Sequence, residues 1–165
     1  MAAGNARRFG CNKLEENVGG VRIIRRALEA VPRGELVRVV VVSQYAEIEA
    51  LAAEYGFLAV HNGDPGAGLS HTVALGLAAL ADCDAVLFQV ADQPLLRRES
   101  VGRLIALWRE HPEKIVAVSG GGRRGNPCLF PARFFPELLI DIPQIFRQAL
   151  QRFRLQVRRH TVERF

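Results

Sequence analysis

Short apolar runs alternate with amphipathic stretches along most of the chain, which is the pattern of successive β-α-β units. The runs Leu36–Val42 and Ala85–Ala91 predict two buried central strands, because parallel strands covered on both faces carry continuous apolar sequence. Further extended segments are predicted at Phe57–His61, Lys114–Ser119, Cys128–Phe130 and, as an edge strand, Leu155–Val162. Helices are predicted at Glu47–Tyr55, Ser70–Ala81, Glu99–Glu110, Ala132–Leu139 and Gln144–Phe153.

This order of elements predicts an open α/β fold, with a three-layer and mostly parallel sheet, in one domain that spans residues 1–165. Open sheets of this kind bind ligands in the crevice at the carboxyl ends of their strands. The residues that directly follow predicted strands are therefore the first candidates for a functional site.

Composition and charge narrow the class of protein. The chain has 165 residues, 49% hydrophobic and 24% charged, which is typical of a globular domain. The net charge of +5 lies in residues 143–165, a segment with six Arg and one Glu that we interpret as a divergent basic tail. No apolar run approaches the roughly 18 residues that cross a bilayer, so a cytoplasmic protein without a membrane partner is expected. Cys11, Cys83 and Cys128 form no CxxC pair, which disfavours a disulfide framework or zinc ribbon.

The N-terminal stretch AAGNARRFGCNK, residues 2–13, is the first candidate site. Its small residues let backbone N–H groups approach an anion closely. Arg7, Arg8 and Lys13 add positive charge where phosphates would lie, and a triphosphate requires both features. The alternative is a solvated basic N-terminus without a ligand.

Asp92 is the second candidate, within the motif VADQP that follows the predicted strand Ala85–Ala91. A carboxylate at this end of a buried strand suits Mg²⁺, which takes oxygen ligands and usually bridges to substrate phosphates. The alternative is an Asp that only caps the turn set by Pro94.

Two glycine-rich segments are the remaining candidates. NGDPGAGLSHT, residues 62–72, follows a strand and leads into a helix N-terminus, whose unpaired N–H donors suit a base, ribose or phosphate. The alternative is an ordinary connection in which Ser70 only caps the helix and His71 is exposed rather than catalytic. GGGRRGNP, residues 120–127, is either a mobile lid that contacts phosphate or a hairpin-like connection with surface Arg.

Taken together, these segments resemble a known family. AAGNARRFGCNKL resembles the N-terminal signature of the MobA-like nucleotidyltransferases, and DQPL, GLSHTVALGL and RGNPCLF strengthen the match. The resemblance runs from Met1 to about Leu139 and is greatest to the molybdenum-cofactor cytidylyltransferase branch. It implies transfer of a nucleotidyl group from an NTP to a phosphorylated acceptor, with Mg²⁺ as cofactor and release of pyrophosphate.

The resemblance also implies roles for individual residues. Lys13 would neutralise triphosphate charge, assisted by Arg7 or Arg8, and Asp92 would hold Mg²⁺. The AAG form at residues 2–4 is more similar to CTP-using members than to GTP-using ones, and the acceptor would be a molybdopterin whose product serves a molybdoenzyme. The predicted catalytic residues are Lys13, Asp92 and Arg8. With the loop residues above, the predicted nucleotide-binding residues are Ala2, Ala3, Gly4, Asn5, Arg7, Lys13, Ser43, Asn62, Gly68 and Ser70.

Two departures from the family pattern carry expectations of their own. Relatives place an apolar strand before AAG, at the centre of the sheet, whereas only Met1 precedes Ala2 here. A sheet without that strand exposes backbone donors, so we expect that this chain starts late. Relatives also carry Gly-Asp-x-Gly-Gly-Arg after Glu137–Leu139, whereas here the glycines are absent and Asp141 is out of register, which predicts weaker metal binding.

Other functions stay open at this point. A non-catalytic relative would bind a nucleotide or pterin and hand it on, and a guanylyl- or sugar-phosphate nucleotidyltransferase would differ only in a weakly encoded base or acceptor. A nucleic-acid-binding module is disfavoured, because aromatic residues in the basic tail are sparse and RRM, KH and zinc-finger patterns are absent.

Overall fold

The computed structural model describes residues 13–120 and 123–140, and the structural statements below concern these residues. Their helices and strands are, in chain order, β1 (Asn17–Val18), β2 (Val21–Arg22), α1 (Ile23–Glu29), β3 (Val40–Ser43), α2 (Ala46–Glu54), β4 (Leu58–His61), α3 (Leu69–Ala78), β5 (Ala85–Phe88), α4 (Arg98–Glu110), β6 (Val116–Gly120), β7 (Arg123–Pro131) and α5 (Phe135–Ile140). The predicted helix Gln144–Phe153 and strand Leu155–Val162 lie outside the described residues.

The strands form three sheets, and the predicted open α/β class is confirmed. β3 and β4 pair in parallel, with Val40 opposite Leu58 and Ser43 opposite His61. β7 lies between β5 and β6 and runs antiparallel to both, which the sequence pattern did not predict. β1 and β2 form a small hairpin across Gly19 and Gly20, whose φ angles of 59° and 76° suit a tight two-residue turn.

The parallel pair forms largely as its pattern predicts. α2 ends before Gly56, whose φ of 71° is the left-handed conformation that terminates a helix. The predicted strand from Leu36 is too long, however, because β3 begins at Val40. Its partner β4 offers four residues for pairing, so the ladder has no partner residues for the segment before Val39.

The hairpin of β6 and β7 corrects the prediction for residues 120–130. The predicted short piece Cys128–Phe130 is the end of a nine-residue strand, and a hairpin rather than a phosphate lid is the interpretation that agrees with the structure. Glycine and arginine at positions 122–125 gave no alternating apolar signal. The pairing of this segment is set by its neighbours in the sheet rather than by its own propensity.

Helix α3 begins one position before the predicted start. Gly68 occupies the N-cap position, and Ser70 lies inside the helix without a capping hydrogen bond, so the prediction that Ser70 caps α3 is wrong. Glycine is a favourable N-cap, and its φ of 87° is unsuited to a residue with a side chain. The predicted helices that correspond to α2, α4 and α5 are confirmed with small shifts at their ends.

Buried apolar side chains form clusters on either side of the two larger sheets. One cluster joins α1, β3 and α2, and includes Leu14, Val41 and Ala91. A second packs α3 and α5 against β5 and β7, with Phe130 at 1% exposure. Cys128 lies in this second cluster, and burial raises the pKa of its thiol, so it acts there as an apolar group. Within residues 13–120 and 123–140, no helix is long and apolar enough to span a bilayer.

Candidate functional site

The carboxyl ends of β3 and β4 are held together by hydrogen bonds. The backbone N–H of Asn62 donates to the carbonyl of Ser43 at 2.6 Å, which extends the parallel ladder one step beyond β4. The Ser43 side chain is fully buried, and its Oγ accepts from the N–H of Tyr45 at 3.1 Å. Both predicted nucleotide-binding residues therefore lie side by side at the edge where the sequence predicts the site.

Asn62 organises the loop that follows β4. Its side chain is 1% exposed, its Nδ2 donates to Thr72 Oγ1 at 3.1 Å, and its Oδ1 accepts from the N–H of Asp64 at 3.1 Å. The amide thus bridges the start of the loop and the first turn of α3. Because the group is buried and bonded at both ends, Asn62 holds the loop in place, and its contact with the nucleotide remains a prediction.

The loop presents the first turn of α3 toward this edge. The carbonyl of Gly68 accepts from the N–H of Thr72 at 3.4 Å, which closes the first helical turn. The carboxylate of Asp64 accepts from the N–H of Ala67 at 3.2 Å and so holds the turn before Gly68. Ser70 is exposed and His71 half-buried in the first turn of α3, where backbone N–H groups lack intrahelical partners and suit an anion.

Asp92 lies after β5 and is accessible to a ligand. Its side chain is exposed and makes no hydrogen bond or ion pair with other residues that the structure describes. The residues on either side are fixed, because Ala91 is buried in the first cluster and Gln93 is half-buried. The Gln93 Oε1 atom is buried without a hydrogen-bond partner in the described part of the chain. The turn thus carries a carboxylate without a partner among the described residues, and its oxygens are accessible to a cation.

Lys13 is connected to this region through its neighbour in sequence, Leu14. Lys13 is exposed, and Leu14 is buried in the cluster that also contains Val41 of β3 and Ala91. Leu14 adjoins Lys13 and Ala91 adjoins Asp92, so the sequence neighbours of the predicted cation and carboxylate belong to one buried cluster. That Lys13 and Asp92 contact one ligand carrying several phosphates remains a prediction.

The described residues fit one mode of Mg²⁺ binding. No group of three His, Cys, Asp or Glu side chains within residues 13–120 and 123–140 is arranged to hold a metal ion. Mg²⁺ commonly binds through one or two carboxylates and completes its shell with water and substrate phosphates. Asp92 fits that mode, because its exposed carboxylate supplies hard oxygen donors and has no partner among the residues that the structure describes. Asp141 lies outside the described residues.

Part of the predicted site also falls outside the described residues. These predictions concern Ala2, Ala3, Gly4, Asn5, Arg7 and Arg8, which remain predictions. Sequence reasoning missed the structural roles of Asp64 and Thr72, although both lie in the candidate segment. The signal available for Asp64 was the spacing Asn-Gly-Asp-Pro, because Asn and Asp form local turns with backbone N–H groups two or three residues ahead.

An open α/β sheet with polar loops at its strand ends is an architecture common among nucleotide-binding proteins. A family model described as the MobA-like NTP transferase domain matches residues 1–161, so the chain belongs to that family. The match extends past Leu139, where the resemblance in the motifs ends.

Individual relatives agree with this assignment. The chain is 29% identical over 147 residues to purine catabolism protein PucB of Bacillus subtilis (strain 168), an alignment that covers 82% of this chain and 70% of that protein. A nucleotidyl transferase from Methanothermobacter thermautotroptrophicus superposes with a TM-score of 0.71 at 22% identity, over 86% of this chain and 70% of that one. Molybdopterin-guanine dinucleotide biosynthesis protein A from Archaeoglobus fulgidus superposes with a TM-score of 0.65 at 18% identity, over 92% and 76%. These structural likenesses show the shared fold.

Proposed function

We propose that this member of the MobA-like family is a cytidylyltransferase that transfers CMP from CTP to a molybdopterin-type acceptor. The observation that supports the proposal is that Leu14 and Ala91, the sequence neighbours of Lys13 and Asp92, belong to one buried cluster. The AAG sequence of residues 2–4 supports CTP as the nucleotide. A molybdoenzyme is the proposed recipient of the product.

The reaction requires positioning more than covalent catalysis. A phosphate oxygen of the acceptor attacks the α-phosphorus of CTP, the bond to the β-phosphate oxygen breaks, and pyrophosphate leaves with the electron pair of that bond. In-line alignment and cationic groups around the phosphates lower the barrier for such a transfer. When bound, Mg²⁺ supplies positive charge at the phosphates, and Asp92 is the described residue that would hold it.

Residues of the chain bind the triphosphate and the nucleotide. Lys13, with Arg7 and Arg8, binds the triphosphate and offsets its charge, and the small residues 2–4 allow close approach of the backbone. The first turn of α3, held by Asn62 and Thr72, offers N–H donors to the nucleotide.

The test compares two aspartates at opposite ends of β5. Asp92→Asn removes the carboxylate at the carboxyl end, whereas Asp84→Asn changes an exposed aspartate just before the same strand. With CTP, Mg²⁺ and molybdopterin, Asp92→Asn is expected to reduce pyrophosphate release about 100-fold or more. Asp84→Asn is expected to leave the rate unchanged, and circular dichroism checks that both variants keep the fold.

The same assay separates the alternative functions. Wild-type turnover in Asp92→Asn would remove Asp92 from the mechanism. Release of pyrophosphate with GTP or ATP but not CTP would replace the proposed nucleotide. Tight CTP binding without any pyrophosphate release would identify a non-catalytic, nucleotide-binding relative.

A further inference from the structure

The turn that carries Asp92 is attached to helix α1 on both sides. Before the turn, the Nε2 atom of Gln89 donates to the carbonyl of Ala27 at 2.8 Å. After the turn, the Nε and Nη2 atoms of Arg98 both donate to the carbonyl of Glu29, at 3.0 and 2.8 Å. The segment between these two side chains is therefore held at both ends by one helix.

The two carbonyls are available as acceptors because they lie in the last turn of α1. The final carbonyls of an α-helix have no N–H partner within the helix, and they carry the negative end of its dipole. The N–H groups that follow α1 donate to other carbonyls of this turn. The carbonyl of Glu29 suits a guanidinium, because the positive charge strengthens the hydrogen bond and two N–H groups can share one oxygen.

Between the two attachments, the backbone is held while the Asp92 carboxylate stays exposed. Ala91 is 7% exposed and belongs to the same buried cluster as Leu28 of α1. The N–H of Leu96 donates to the carbonyl of Gln93 at 3.1 Å, which closes the turn after Asp92. The position of the carboxylate is therefore set by the anchoring of its backbone, because its own side chain has no partner among the described residues.

We propose that Arg98 is a positioning residue for Asp92: by binding the end of α1, it holds the Asp92 carboxylate where it takes a divalent cation bound to the nucleotide. This inference rests on the role of Asp92 in the proposed function. A site in which one carboxylate and substrate phosphates share the ion has few protein ligands, so the position of that carboxylate matters. Removing a group that orients a metal ligand commonly weakens metal binding about 10- to 100-fold.

The neighbouring arginine is a matched control. Arg97 is exposed like Arg98 and occupies the N-cap position of α4, but its side chain makes no hydrogen bond or ion pair with other residues that the structure describes. Arg97→Ala and Arg98→Ala remove the same charge from adjacent positions. Only Arg98→Ala also removes the attachment to α1.

The first measurement uses Mn²⁺ as a paramagnetic probe of the cation site, in the full 165-residue chain and with CTP in every sample. Electron paramagnetic resonance gives the affinity. Arg98→Ala is expected to weaken Mn²⁺ binding about tenfold, Arg97→Ala to leave it unchanged, and Arg98→Lys, which keeps the charge, to recover part of the loss. In an Asp92→Asn background, Arg98→Ala should cause no further loss, because its effect passes through Asp92.

The second measurement needs neither nucleotide nor metal. Hydrogen exchange is followed at the amide of Leu96, whose hydrogen bond closes the turn. Arg98→Ala is expected to speed this exchange about tenfold, because the turn loses one of its attachments, and Arg97→Ala is expected to leave it unchanged. Denaturant unfolding of both variants separates this local effect from a loss of stability in the whole domain.

Several outcomes would overturn the positioning role and leave the proposed function intact. One is Mn²⁺ affinity or Leu96 exchange that is unchanged in Arg98→Ala, while Asp92→Asn loses Mn²⁺ binding. Another is an equal loss in Arg97→Ala, which would assign the effect to charge alone. A further loss when Arg98→Ala is added to Asp92→Asn would show that Arg98 does not act through Asp92. Wild-type Mn²⁺ affinity in Asp92→Asn would instead refute the metal role of Asp92 in the proposed function, and this inference with it.

Discussion

The molecule has a parallel half, formed by β3, β4, α1, α2 and the first turn of α3, and an antiparallel half, formed by β5, β6, β7, α4 and α5. The two halves differ in the polar side chains that they bury. The three buried polar residues of the described chain, Ser43, Asn62 and Thr72, all belong to β3, to the end of β4 or to α3. The antiparallel half instead buries apolar side chains, among them Phe88 and Phe130, whose rings meet edge to face at 5.8 Å. Burying a polar group is tolerated when its hydrogen bonds are satisfied, and the parallel half satisfies them with other loop residues.

This difference indicates that the buried side chains of the two halves have different roles: one set positions a loop, and the other stabilises the sheet. In the parallel half, polar contacts fix the conformation of a loop next to the proposed nucleotide site. In the antiparallel half, apolar contacts stabilise the sheet that carries Asp92 on its β5 side. Substitutions in the two halves should therefore affect different measurements, and that expectation can be tested.

The largest effect on stability is expected in the antiparallel half. Phe130→Ala removes a ring that is 1% exposed, so we expect a loss of about 3–5 kcal/mol in the free energy of unfolding. Denaturant titration measures this loss. CTP affinity of the variant that remains folded should be unchanged, because the ring packs on Phe88 in a cluster that includes none of the described residues of the proposed site.

Leu139→Ala is the matched control, since that side chain is 56% exposed in α5. Its cost should be well under that of Phe130→Ala. Similar losses in the free energy of unfolding for the two substitutions would contradict the different roles of the two halves. A weaker CTP affinity in folded Phe130→Ala would contradict them as well.

The sequence predicts the strands of the antiparallel half less completely than those of the parallel half. The run of valines predicts β3, and the helical spacing after it predicts α2. Gly56 marks the end of α2, because glycine readily adopts the left-handed conformation that terminates a helix. β7 starts with Arg123 and Arg124 and becomes apolar only near Cys128, so its first half has no strand signal. It is a strand because β6 pairs with it, and such long-range pairing is not encoded in a local window.

Some features of the candidate site could also be predicted from the sequence, and others could not. Asp92 became a candidate because it follows an apolar run, and Lys13 because it ends a basic stretch that contains glycine; their roles remain predictions. The bond between Asn62 and Thr72 joins residues ten positions apart, and it depends on how Gly68 turns the chain into α3. The sequence pattern therefore identifies the segment 62–72 but does not predict that Asn62 bonds to Thr72, because an irregular loop has no fixed residue spacing.

Breaking that pair should produce a smaller loss of stability and a larger loss of function than Phe130→Ala. Asn62→Ala leaves the buried Thr72 hydroxyl and the N–H of Asp64 without the side-chain partner, at a cost of about 1–3 kcal/mol. We also expect weaker CTP binding, because the first turn of α3 loses its attachment to the end of β4. Calorimetric titration of CTP and denaturant unfolding measure the two effects.

Asn17→Ala changes an exposed asparagine of β1 and should alter neither quantity. Thr72→Val should reproduce part of the Asn62→Ala effect, since it removes the hydroxyl and keeps the shape of the side chain. CTP binding that is unchanged in both Asn62→Ala and Thr72→Val would show that the network serves stability alone.

The smallest effect is expected at the opposite end of the parallel half, where Arg38 binds the turn after α3. Its guanidinium donates to both Asp82 carboxylate oxygens, at 2.8 and 3.1 Å, and to the carbonyl of Ala79 at 2.8 Å. These hydrogen bonds lower the pKa of Asp82 below its ordinary value. The pair therefore stabilises the fold above the pKa of Asp82 in the unfolded chain, about 4, and this contribution is lost as pH falls through the lower pKa of the folded state.

Both side chains of this pair are partly exposed, at 37% and 68%, so solvent screens the interaction and the effect on stability is small. Melting temperatures of the wild type and Asp82→Asn, measured from pH 7 to pH 3, should differ slightly at neutral pH and converge as the solution becomes acidic. Asp84→Asn, two residues away and without an ion pair in the described residues, controls for the loss of one negative charge. CTP affinity should be the same in all three proteins, because the pair lies at the amino end of β3 and the proposed site at its carboxyl end. A difference in melting temperature that stays constant across the pH range would show that the Asp82 carboxylate does not stabilise the fold through its charge.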